Sequence, residues 1–126
     1  MGWIKRGTAI SGLVLSVLVV AGCGGGPSVD AAEVVEELSA LYPAPNARDN
    51  TGFCASSGCE QMVTTDAVTV SQWPDAEAAA KWTAAMANSD ARQAGLFVLT
   101  FTGEQDATST EARDAYTAKA SELSAA

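Results

Sequence analysis

The stretch Leu96-Phe97-Val98-Leu99-Thr100-Phe101 carries apolar side chains at odd and even positions alike. Successive side chains of an extended chain point to opposite sides of a sheet, so this run predicts the central, most buried strand. Gly103 closes it. Two further strands precede it in the sequence. Met62 to Thr64 and Ala67 to Trp73 read as a short and a longer strand around a tight turn at Thr65-Asp66. Val68 and Val70 alternate with Thr69 and Ser71, which marks a sheet with one wet face or an edge.

Three helices fit around these strands. Asp30 and Glu33 have the spacing of a capping box, and Val34, Leu38 and Leu41 then share one face up to Tyr42. Pro43 and Pro45 end that helix. Pro74 stops the second strand and suits the first turn of a helix, with Asp75 and Glu77 complementing its positive end. Ala78, Trp82, Ala85 and Met86 follow at helical spacing, and Asn88 to Gly95 holds the exit turn. A second capping box at Thr108 and Glu111 opens a last helix through Ala112, Tyr116, Ala120 and Leu123. The order is helix, strand, strand, helix, strand, helix. Residues 67–101 form a β-α-β unit, right-handed if its strands are parallel. The expected architecture is α+β: a three-stranded sheet with helices packed on one face, similar in style to ferredoxin-like folds but lacking one strand. Its open edge suits a homodimer, or cover by the loop from Asn46 to Cys59.

The first 23 residues carry a different message. Lys5 and Arg6 precede an apolar run from Ile10 to Val20, short for a permanent membrane span of about 20 residues. Val20-Ala21-Gly22-Cys23 follows directly and resembles the lipobox of bacterial lipoproteins: an aliphatic residue, two small residues, then Cys. The resemblance implies that residues 1–22 are a cleaved signal peptide, and that Cys23 carries a diacylglyceryl thioether and a fatty acyl chain such as palmitate. It also implies that the lipid bilayer holds the protein at the extracytoplasmic side of the cell membrane. Residues 23–29, with Gly24-Gly25-Gly26-Pro27, serve as a tether, and 30–126 form a single domain. The mature part also looks like small secreted lipoproteins of actinobacteria, in its closely spaced cysteines, its Val68 to Pro74 corner and its many alanines. No activity comes with that likeness.

All 15 acidic residues but only five of the seven basic ones lie beyond residue 22, giving the mature chain a net charge of −10. Such a surface repels nucleic acid, which is excluded as a partner. With Cys23 capped by lipid, Cys54 and Cys59 remain as a pair in an oxidising compartment. Four intervening residues do not match the two of thioredoxin-type chemistry, and a zinc site lacks further ligands in a chain with no histidine. A structural disulfide is expected, worth about 2 kcal/mol for so small a loop.

Catalytic equipment is sparse. The absence of histidine removes the usual general base of hydrolases. Beyond residue 22 the only lysines are Lys81 and Lys119, and neither has a serine three positions earlier. Glu36-Glu37, Asp75-Glu77 and Glu111-Asp114 sit where solvated helix faces or caps place them. Glu104 and Asp106 lack the ligand run of a calcium loop. No catalytic residue, cofactor or metal is therefore expected. Trp73, Tyr42 and the loop from Asn46 to Ser57 are the natural partner site, since loops carry function more often than packed elements. The expected function is a non-catalytic, membrane-anchored lipoprotein that binds or supports another envelope component, such as an envelope protein. The alternatives are a carboxylate enzyme or accessory factor acting on cell-wall glycan, needing two carboxylates across a cleft, and a small-ligand-binding lipoprotein, needing a concave pocket.

Overall fold

The computed structural model describes residues 29–125. Cys23, its lipobox and the glycine tether lie outside the described residues. Mixed α/β architecture is present, built on one five-stranded antiparallel sheet rather than three strands. The helices are α1 (Ala31–Ser39), α2 (Cys54–Ser57), α3 (Ala76–Ala85) and α4 (Thr110–Ala125). The strands are β1 (Arg48–Asp49), β2 (Gln61–Thr64), β3 (Thr69–Gln72), β4 (Arg92–Ala94) and β5 (Phe97–Thr100), in the spatial order β1-β2-β3-β5-β4.

The two strands missed from the sequence are the edges. β1 has two exposed residues, and β4 has three with one buried, so neither shows an alternation to detect. β4 lies where an exit turn is expected. Its hairpin to β5 turns on Gly95, whose φ of +64° favours glycine and whose Cβ position is blocked by Ser124 of α4. This hairpin changes the crossover. The helix after β3 leads to β4, and β5 then folds back between them, antiparallel to both. β3 and β4 are the parallel pair of a split unit, so β3 and β5 are not the parallel strands of a simple β-α-β. Both edge strands are short, which limits pairing with another chain.

Helices cover both faces of the sheet, not one. Face one receives α1 and α4: Val34, Leu38, Tyr116 and Ala120 meet Val63, Val70, Phe97 and Leu99 in a cluster nearly free of solvent. Asp30 caps α1 in a capping box with Glu33, as its spacing predicts. The next two α1 amides donate to the Gln72 and Gln61 side chains at 3.1 and 3.2 Å, tying the helix start to β3 and β2. α4 begins later than expected. Ser109, not Thr108, accepts from the first-turn amide of Ala112, while the Thr108 hydroxyl donates to the Ala67 carbonyl at 2.7 Å. Face two receives α3 and the disulfide segment, which bury Cys54, Cys59, Met62, Trp73, Ala79 and Val98. Pro74 stands just before the α3 cap, Asp75, whose carboxylate accepts from Ala78. Two-sided cover is what the run from Leu96 to Phe101 demands, and a one-faced arrangement would have left Val98 wet.

Candidate functional site

Face two is covered incompletely. α3 lies over β4 and β5, and the disulfide segment lies over β2, leaving an open cleft of about 660 Å³ between them. One wall is the chain from Asp49 to Phe53; the other is Trp82 of α3 and Met86, which caps its C-terminus. The floor consists of Met62, Thr64, Thr69 and Thr100 from β2, β3 and β5, with Thr102 beyond. This placement follows from strand pleating. Met62, Thr64, Thr69 and Thr100 occupy alternate positions whose neighbours Val63, Val70 and Leu99 point into face one.

The disulfide segment holds its wall by several means. Asp49 accepts from the Thr51 amide at 2.9 Å and starts a short 3-10 turn through Phe53. Thr51 Oγ1 accepts in turn from the Met62 amide on β2. The Cys54–Cys59 disulfide spans the single turn of α2, with Cα atoms 4.6 Å apart. Gly58 ends that turn at φ +98° and returns its amide to the Cys54 carbonyl. Beneath the wall, Trp73 is 3% exposed and donates to Ser71 Oγ at 2.8 Å. Trp82 stacks at a tilt on Trp73, 5.3 Å between ring centres, and meets Phe53 edge-on at 6.0 Å. Phe53 stays half exposed, so its ring serves the cleft more than the core.

The floor is polar and mostly satisfied. Thr64 Oγ1 accepts from the Asn50 amide group at 2.6 Å. Gln105, 2% exposed, donates to the Thr65 carbonyl and to Thr69 Oγ1 and accepts from the Thr102 amide. Thr100 is the exception. It is 5% exposed, and its hydroxyl has no hydrogen-bond partner among the described residues. A buried hydroxyl without a partner costs about 1–3 kcal/mol, a deficit that water or a ligand in the cleft removes.

Charge around the cleft is one-sided. Among the described residues, Asp49 is the single ionisable one lining it. The Thr51 hydroxyl and amide, bonding its carboxylate, hold Asp49 below the usual carboxylate range. Arg48, Arg92, Arg113 and Lys119 are engaged elsewhere in ion pairs with Asp66, Asp90, Asp114, Asp106, Glu37 and Glu122. Lys81 lies on the outer flank of α3 beside Asp75 and Glu77. The described acids of opposite response sit outside the cleft. Donation of the Glu104 carboxyl proton to the Asp66 carboxylate, and then the Asp66 charge, raises the Glu104 carboxyl, while hydrogen bonds from Asn46, Glu104 and Arg48 lower Asp66. Asp66 is tied to Asn46 and Arg48, and neither Asp66 nor Glu104 lines the cleft.

Of the expected partner site, the loop from Asn46 to Ser57 contributes one wall through Asp49, Asn50, Gly52 and Phe53. Trp73 is a buried support for Trp82. Tyr42 lies on the other face, edge-on to Tyr116 at 6.2 Å, and takes no part. Trp82, expected in the core stripe, is half buried at the cleft, and Ala85 is exposed. Met62, Met86 and the floor threonines were missed. The signal available was Thr100, a hydroxyl breaking an otherwise apolar run. Among the described residues no group of three or more acidic or cysteine side chains could hold a metal, and no helix is long and apolar enough to cross a membrane. No protein-family profile matches the chain, and neither a curated protein nor a solved structure matches it.

Proposed function

We propose that this chain is an exported lipoprotein, held to the cell membrane through an acylated Cys23, whose domain is a non-catalytic binding module with the face-two cleft as its ligand site. The cleft carries the reading. It has the volume of small-molecule sites, aromatic and thioether walls, and at its floor a hydroxyl, that of Thr100, without a partner among the described residues. Its lining includes one carboxylate, Asp49, rather than the facing pair that glycoside hydrolysis uses. The anchor rests on the lipobox residues, and an acidic domain held by lipid rather than by a basic patch agrees with it.

Two measurements test the reading. Cys23→Ser should move the protein from the membrane fraction to the soluble fraction or trap its precursor; unchanged retention rejects the anchor. Full-length protein taken from its own membranes should carry a small-molecule adduct in native mass spectrometry. Gly52 lines the cleft, and a Cβ placed there meets nothing within 4 Å, so the side chain of Gly52→Phe leaves the backbone into open space and occupies the cleft. An adduct lost in Gly52→Phe supports the cleft, and one retained in full rejects it.

A further inference from the structure

We propose that the ligand is an uncharged hydroxylated ring, a saccharide unit, laid against Phe53 and Trp82 with one of its oxygens bonded to Thr100. This deepens the binding reading above and rests on it. The apolar C–H face of a pyranose packs on aromatic rings while its rim exchanges hydrogen bonds, and the cleft offers both kinds of surface. Phe53 is half exposed at one wall, with Trp82 against it. Thr100, a residue 5% exposed, lines the floor with a hydroxyl unpartnered among the described residues. Asn50 spends one of its two side-chain amide hydrogens on Thr64, and its side-chain carbonyl oxygen is an acceptor at the same wall.

Other ligand classes fit less well. A wholly apolar ligand would seal Thr100 from water without giving it a partner, which binding would have to offset. An anion meets Asp49, kept ionised by Thr51, and finds no cationic side chain in the lining. A cation finds only Asp49, whose carboxylate already accepts from Thr51. A neutral polyol avoids all three penalties. It can belong to a free oligosaccharide or to an immobile wall glycan, since both present the same ring.

Two of the three methionines, Met62 and Met86, line the cleft, so their ¹³C-labelled methyl groups report its occupancy in the full chain held in phosphatidylglycerol nanodiscs. The probes are chitotriose and maltotriose as neutral trisaccharides, trigalacturonate as an anionic one, and cyclohexanol as a ring with a single hydroxyl. A neutral trisaccharide should shift both methyl signals saturably. Thr100→Val should weaken that binding about three- to tenfold, the worth of one neutral hydrogen bond, and Thr100→Ser should restore most of it. Gly52→Trp should abolish it. Competition by insoluble wall polysaccharide assigns the glycan to the wall; its failure assigns it to a free oligosaccharide. Cyclohexanol or trigalacturonate binding as tightly as the neutral trisaccharides, or Thr100→Val leaving them unaffected, overturns the saccharide assignment and leaves the cleft a binding site. Silence of both methyl groups toward every probe overturns the cleft reading itself.

Discussion

The two faces of the sheet are built from the same strands and finished differently. Face one is sealed by two helices whose side chains interlock with Phe97, Leu99, Val63 and Val70. Face two is sealed only at its ends, by one helix and a disulfide-stapled turn, and its middle remains open over a row of threonines. Apolar burial supplies the main favourable free energy of folding, so face one carries most of the stability. Face two gives up part of that burial and exposes shaped, hydrogen-bonding surface instead.

Phe97→Ala should strike this contrast hardest. Removing a fully buried ring from face one leaves a cavity and should cost about 3–5 kcal/mol in urea unfolding. A loss under about 1 kcal/mol would mean that face one is not the stabilising side. Next in size is the double change Cys54→Ser with Cys59→Ser, expected to cost about 2 kcal/mol. Because the bridge supports the segment bearing Phe53, fluorescence of the nearby Trp82 should change before global unfolding; coincident transitions would deny face two any local independence.

A smaller effect belongs to the loop joining α3 to β4. Hydrogen bonds from Arg92, and then from Arg113, pull the Asp90 carboxyl below its ordinary range. A depressed native pKa gives stability that is full above the unfolded value near 4 and is lost as pH falls through the native one. Asp90→Asn should therefore cost a constant amount above about pH 5, about 0.2–1 kcal/mol for so solvent-screened a pair. The gap from the parent should close in acid, and a gap that widens below pH 4 would contradict the ion-pair origin. Phe53→Ala should be the mildest for stability, within about 0.5 kcal/mol for a half-exposed ring, while removing one wall of the cleft. A larger loss would make Phe53 a core residue rather than a binding surface.

Legibility followed the strength of local signals. Asp30 and Glu33 announced α1 because a capping box closes within four residues. Val68 and Val70 announced β3 because alternation persisted long enough to read. The edge strands were silent, since Arg48–Asp49 and Arg92–Ala94 are too short to show an alternation and are held in extended form by pairing, the first with the distant Val63–Thr64 and the second with Phe97–Leu99 across a tight hairpin. The cleft was half legible. Its disulfide wall stood out by glycine, serine and cysteine content, but Trp82 reads as core on any helical wheel. Only the distance between α3 and the disulfide segment leaves it uncovered.

Sequence alone determined the mixed composition of helices and strands, the apolar central strand and the acidic balance, because each resides in neighbouring residues or in a sum over the chain. Tertiary structure decided which strands are adjacent, that helices cover both faces, and that the Thr100 hydroxyl lies in a cleft with no partner among the described residues. Those outcomes depend on how far apart two separately stable elements come to rest on the sheet, and that spacing is set by packing across the whole domain rather than by any local pattern.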